Sequence, residues 1–161
     1  MNLEENIQRI KQMMISEEMV QSDAWKSIKK TLDVLKKKKK VLLLSCSNRH
    51  NWDKNDIDIP KSKMIAMYLN DELGDKSTLI DDTYNANPDS VKKSIDLLSN
   101  SQKRKVLVLG DMLELGRMRK HMHKKIGNYA SHKKIDILLG FGDLTKYAVD
   151  AFGKNGVFFS N

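Results

Sequence analysis

Apolar positions along the chain fall into two rhythms. Near the N-terminus they recur at helical steps. Leu3, Ile7, Ile10 and Met14 share one face, and after a candidate N-cap at Ser22 or Asp23 so do Trp25, Ile28, Leu32 and Leu35. From Val41 onward short apolar runs alternate with helical stretches. The runs VLLLS (41–45), STLID (77–81), KVLVLG (105–110), IDILLG (135–140) and VFFS (157–160) predict strands. KMIAMYLNDELG (63–74), PDSVKKSIDLLSN (88–100), MHKKIGNYASH (122–132) and DLTKYAVDAFG (143–153) predict helices. Strands alternating with helices imply crossover connections and a parallel sheet covered on both faces. The expected fold is α/β: a doubly wound, Rossmann- or flavodoxin-like, mainly parallel five-stranded sheet behind an N-terminal helical extension. In such sheets ligands bind beyond the carboxyl ends of the strands, so chemistry is sought there.

One strand end stands out. In LIDDTYNANPDSV (79–91) an apolar run stops at two aspartates, followed by a tyrosine and two asparagines. Asp81 or Asp82 emerges at the sheet rim, where a carboxylate can accept two hydroxyl hydrogen bonds, as a ribose diol offers. Asn85 and Asn87 present donors and acceptors, and Tyr84 a stacking face with a polar tip. Asn87 followed by Pro88 is also a good helix start with no ligand. Capping accounts for Asn87 and Pro88 and leaves Asp81, Asp82, Tyr84 and Asn85 unexplained.

Composition narrows the class. The chain has 161 residues, 40% hydrophobic and 31% charged, which suits a globular domain. No apolar run approaches the roughly 18 residues of a membrane span, and MNLEENIQRI is too acidic and interrupted for a signal peptide. No membrane insertion and a cytoplasmic location are expected. The single Cys46 excludes an internal disulfide and fits a reducing compartment; it is expected to be a buried thiol rather than a nucleophile. The four histidines, His50, His121, His123 and His132, do not suggest a metal site, because His121 and His123 point to different faces of a helix.

Net charge is +8, yet the excess is spread over both halves. Two clusters, KKKKK (36–40) and RMRKHMHKK (117–125), lack interleaved aromatics or a nucleic-acid motif. They read as solvated helix ends favoured by the dipole, which argues against nucleic acid as a partner. A basic domain contacting nucleic acid through 117–125 is the third reading, after the two below.

LIDDTYNANPDSV followed by KVLVLGDMLELG (105–116) closely resembles the C-terminal domain of Mur ligases, specifically the UDP-N-acetylmuramoyl-tripeptide–D-alanyl-D-alanine ligase type. The resemblance spans about 77–161 and continues through His123, Gly127 and Tyr129, then IDILLGFG and VFFSN. It implies an ATP- and magnesium-dependent amide ligase of peptidoglycan synthesis. Such an enzyme phosphorylates the terminal carboxyl of a UDP-muramoyl tripeptide; the amine of D-alanyl-D-alanine then attacks, releasing phosphate. By position, Asp82 would sit near the ribose of ATP. Tyr84, Asn85 and Asn87 would line the cleft facing nucleotide and dipeptide, and Asp111 and Glu114 would support it. The family's phosphate loop has no counterpart here, since no G-x-x-x-x-G-K-[ST] pattern occurs. Where the family usually carries acidic residues after ELG, this chain has RMRKHM. The expectation is a partial ligase, inactive alone, whose missing domains would act in trans.

Residues 40–76 instead resemble the opening of flavodoxin-like NAD(P)H-dependent FMN reductases. By position Ser45, Ser47, Asn48, Arg49 and Ser62 would contact the FMN phosphate, and the alternative reading is an FMN-binding oxidoreductase fragment. The expected organisation is a helical segment 1–39, a flavodoxin-like strand–loop–helix unit 40–76 and a Mur-like segment 77–161. The last two, 40–161, could form one composite domain.

Overall fold

A computed structural model describes residues 23–37, 40–46, 61–82 and 86–159. They form helices α1 (Asp23–Leu35), α2 (Lys61–Leu73), α3 (Pro88–Ser99), α4 (Arg119–His132) and α5 (Thr145–Phe152). The strands are β1 (Val41–Cys46), β2 (Ser77–Asp82), β3 (Arg104–Gly110), β4 (Ile137–Phe141) and β5 (Gly156–Phe159). The predicted helix over 3–14 lies outside the described residues.

All five strands are parallel, in the order β2-β1-β3-β4-β5. This is the expected α/β sheet. From β1 the chain steps outward to β2, then returns past β1 to β3. The order reverses between β1 and β3, and the crevice of a doubly wound sheet opens at the carboxyl ends of those two strands.

Two cores flank the sheet. On one face Ile28, Leu32 and Leu35 of α1 and Ile65, Ala66 and Leu69 of α2 pack with Val41, Leu43, Val106, Val108 and Leu139. On the other, Val91, Ile95 and Leu98 of α3, Ile126 and Ala130 of α4 and Ala148 and Phe152 of α5 pack with Leu44, Leu107, Leu109 and Leu138. Residues 106–110 and 137–141 are buried throughout, as in a strand covered on both sides, so these runs are apolar without alternation. Helix α1 is therefore part of the core: its stripe fills the same layer as α2. Arg104 Nη1 of β3 donates to the carbonyl of Val34 at 2.9 Å, satisfying an orphan group at the end of α1. At the far edge of this layer the paired residues Phe141 and Phe159 stack with centroids 4.4 Å apart.

Element boundaries differ from the expectation by one to three residues, and at two of them the cause is local. Helix α4 begins at Arg119 rather than at Met122, because a 3₁₀ turn over Gly116–Met118 leads directly into it; Gly116, at φ +52°, supplies the left-handed residue that starts this turn. Strand β4 begins at Ile137, two residues late. Helix α4 ends in a Schellman-type closure, with Lys134 at φ 55° and Ile135 N–H donating to Ala130 O at 3.1 Å, so Ile135 is buried as part of the turn.

Candidate functional site

Strand pairing decides which aspartate turns inward. Parallel register sets Asp81 beside Ser45 and Asp82 beside Cys46. Side chains alternate between faces along a strand, so Asp82 shares the face of Ile80, the one covered by α3. Asp82 is half-buried and Asp81 exposed. The Asp82 Oδ2 atom accepts a hydrogen bond from Ser94 Oγ of α3 and a longer one, 3.9 Å, from Cys46 Sγ. Burial first, then the Asp82 carboxylate, push the Cys46 thiol far above its ordinary range, so this buried sulfur is a structural donor and not a nucleophile.

The helix that delivers Ser94 is fixed at its start. Asn87 Oδ1 accepts from the N–H groups of Asp89 and Ser90 at 3.0 and 2.9 Å, and Ser90 Oγ accepts from Asn87 N–H at 3.1 Å. This is a complete capping box with Pro88 in the first turn. The side-chain oxygen of Asn87 is thus engaged by the helix. Val91, Ile95 and Leu98 lock the helix rotation against the sheet. At its far end Tyr129 Oη of α4 donates to Asp96 Oδ1 at 2.8 Å, and Lys133 pairs with the same carboxylate. Lys133, then Tyr129, hold Asp96 below the usual carboxylate range.

The second strand end is the loop after β3. Asp111 Oδ1 accepts from the N–H groups of Leu144 and Thr145, both at 3.0 Å, and so caps α5 from another strand. Gly142, at φ +106°, makes room for it: a β-carbon there would stand 2.6 Å from the Asp111 carboxyl carbon. Burial pushes the Asp111 carboxyl above the usual range, against the pull of the Thr145 amide, His123 and the Leu144 amide. One residue on, Met112 N–H donates to Nε2 of the buried His123 at 3.0 Å, and His123 Nδ1 bonds to Arg119 O at 2.7 Å. Glu114 is exposed and sits at φ 62°, a left-handed conformation that costs a non-glycine residue free energy.

Of the expected cleft residues, Asp82 is at the end of β2, Asn87 is a helix cap, Asp111 caps α5, and Glu114 lies on the loop after β3. Tyr84 and Asn85 lie outside the described residues, as do Ser47, Asn48 and Arg49. Ser45 falls in β1 and Ser62 in the first turn of α2, with their side chains outside the described set. Sequence reasoning missed Ser94, a mid-helix serine twelve positions from its partner with no local signal. It noted His123 without its role; a histidine on the apolar face of α4, beside Ile126 and Ala130, was the available clue.

The two basic clusters separate. Lys36 and Lys37 follow the C-terminus of α1, where positive charge is favoured. Arg117, Arg119, Lys120, His121, Lys124 and Lys125 are exposed around the N-terminal half of α4, which has no acidic residue in its first turn and no side-chain cap. Positive charge there opposes the helix dipole, so the dipole explanation suits Lys36 and Lys37 and fails for the second cluster. His121 is exposed and His123 buried, as their spacing requires. No helix among the described residues is long and apolar enough to cross a membrane.

The model of the family described as Mur ligase, glutamate ligase domain, matches residues 69–157. Among curated proteins, the UDP-N-acetylmuramoyl-tripeptide–D-alanyl-D-alanine ligase of Buchnera aphidicola (subspecies Acyrthosiphon pisum) is 40% identical over 83 residues, 52% of this chain and 18% of the relative. That of the subspecies Baizongia pistaciae is 39% identical over 107 residues, 66% of this chain and 22% of the relative. The enzyme of Escherichia coli is 37% identical over 71 residues, 44% of this chain and 16% of the relative. The chain thus spans about a fifth of the length of these relatives. The family match begins inside α2, upstream of residue 77, and a 107-residue alignment is longer than the stretch 77–161. Likeness to the ligases therefore reaches into the unit that resembled an FMN reductase, and the FMN-binding alternative is not favoured.

Proposed function

The chain belongs to the Mur ligase family, and from that membership we propose that it forms the nucleotide-facing lip of a cytoplasmic, ATP-dependent amide ligase of the D-alanyl-D-alanine-adding type in peptidoglycan synthesis. In the reaction a UDP-muramoyl tripeptide carboxylate takes the γ-phosphoryl group of ATP and ADP leaves. The dipeptide amine attacks the acyl phosphate, an amide bond forms, and phosphate and the amine proton are lost. The share of this chain is recognition of the nucleoside. The supporting observation is the Asp82 carboxylate at the sheet rim: Oδ2 is held inward by Ser94 and Cys46, while Oδ1 has no partner among the described residues. A ribose hydroxyl is a donor of the right kind for that oxygen.

The same residues do not fit the phosphates or their magnesium ion. Among the described residues no group of three His, Cys, Asp or Glu side chains could hold a metal, and the sequence carries no phosphate-loop pattern. Phosphoryl transfer rests on that positioning and charge neutralisation. The proposed chain therefore acts with a phosphate-binding and a UDP-binding domain, on the same polypeptide or in trans, and is not a competent ligase by itself. Tyr84, Asn85 and Glu114 are proposed to line the cleft toward nucleotide and dipeptide. Asn87 and Asp111 shape it through the helices they cap.

Titration of the purified chain with ADP and with FMN tests the reading. Weak ADP binding that Asp82→Ala abolishes, with no flavin absorbance, is expected. ADP binding indifferent to Asp82→Ala, or uptake of FMN with a visible band, would overturn it.

A further inference from the structure

We infer that Ser94 is the positioning residue for Asp82, holding its carboxylate so that one oxygen is reserved for the vicinal diol of a nucleoside diphosphate; this rests on the nucleotide reading above. Three elements meet on one atom. Register with β1 puts Asp82 beside Cys46, the capping box at Asn87 fixes where α3 starts, and Ser94 lies one helical turn beyond Ser90. The Ser94 Oγ is also 3.1 Å from Ser90 O, but its single proton can serve only one acceptor fully, and the Asp82 carboxyl oxygen is the nearer of the two. Both bonds to Asp82 reach Oδ2. A free carboxylate at the end of a strand can rotate and present either oxygen. With Oδ2 anchored to the sheet and to α3, Oδ1 presents its lone pairs in one orientation before any ligand arrives. Preorganisation of this kind raises affinity by removing an ordering cost from binding. It also makes the contribution of Ser94 specific to ligands that hydrogen-bond to Oδ1.

The test is titration of the full chain with ADP and with 2′,3′-dideoxy-ADP, for the wild type, Ser94→Ala, Ser94→Thr and Asp82→Ala. Thermal melts confirm that each variant is folded. We expect Ser94→Ala to weaken ADP by about three- to tenfold, the range of one hydrogen bond. The affinity for dideoxy-ADP should be unchanged, because that ligand offers no hydroxyl to Oδ1, and Ser94→Thr should recover most of the loss. Equal loss toward both nucleotides would mark Ser94 as merely structural and overturn the inference. Wild-type ADP affinity in Ser94→Ala, with loss in Asp82→Ala, would overturn it while leaving the nucleotide reading intact. Absence of ADP binding by the wild type, or indifference to Asp82→Ala, would overturn both.

Discussion

The backbone N–H of Met112 donates to Nε2 of His123 across 3.0 Å and ties the loop after β3 to the interior of α4. The opposite ring nitrogen faces the carbonyl of Arg119, which can only accept, so Nδ1 carries the proton and the imidazole is neutral. Protonation of Nε2 would set two N–H groups against each other inside the core. The loop that this bond restrains also carries Asp111, whose carboxylate caps α5. One histidine therefore holds the geometry of a strand end and of two helices.

Stability should fall on acidification because of this residue. Burial lowers the His123 pKa from its ordinary 6.5, against the Arg119 carbonyl and Asp111. Below about pH 6.5 the unfolded chain takes up a proton that the folded chain refuses, so the stabilisation is complete above that pH and lost as pH falls toward the depressed folded value. Urea unfolding from pH 8 to pH 5 should show the decline. In His123→Leu this component should vanish, at a cost of about 1–3 kcal/mol at pH 8 for the orphaned Met112 N–H.

Asp111→Ala should destabilise by about 1–2 kcal/mol, the value of a helix cap. Asp111→Asn should be nearly neutral, since an amide oxygen can still accept from Leu144 and Thr145 while the buried charge disappears. Because burial raises the Asp111 pKa in the fold, its ionisation opposes folding as pH rises above its ordinary 3.8. The Asn variant should be free of that component. Thermal unfolding of the three proteins distinguishes the cap from the charge.

Glu114→Gly should stabilise the chain by about 1 kcal/mol, the cost of a left-handed backbone at a non-glycine residue. If the carboxylate also serves the cleft, nucleotide affinity should drop in the same variant. A rise in melting temperature without a change in ADP titration would assign the residue to the turn alone.

Gly127 on α4 approaches α5 so closely that a β-carbon on it would lie 2.0 Å from the carbonyl oxygen of Ala148. The neighbour is backbone, so it cannot turn aside. Gly127→Ala should cost about 1–3 kcal/mol by overpacking, read as a lower urea midpoint with an unchanged slope.

A truncated chain beginning at residue 77 should fail to fold. Among the described residues β2 pairs only with β1, and β1 lies between β2 and β3. Removing it leaves β2 unpartnered and uncovers β3. Limited proteolysis of the whole chain should yield a core that retains Val41–Cys46, so that 40–161 behaves as one domain. A stable fragment starting near residue 77 would show instead that the Mur-like segment folds alone.

Strands and helices were legible in the sequence because their signals are local. Runs such as KVLVLG and IDILLG announce strands buried on both faces, the spacing of Ile28, Leu32 and Leu35 announces a one-sided helix, and Asn87-Pro88 announces where α3 starts. The alternation of these elements was enough to specify a parallel sheet, and LIDDTYNANPDSV with KVLVLGDMLELG was enough to point to the family. Tertiary structure alone decided which of two adjacent aspartates turns toward α3, because that depends on register against β1. It also decided that Asp111 and His123 spend their polar atoms on Leu144, Thr145, Arg119 and Met112, and that Ser94 anchors Asp82. Each of these bonds except that to Arg119 joins residues on different elements, and a hydrogen bond between elements is set by how helices and strands pack, which no local pattern of residues encodes.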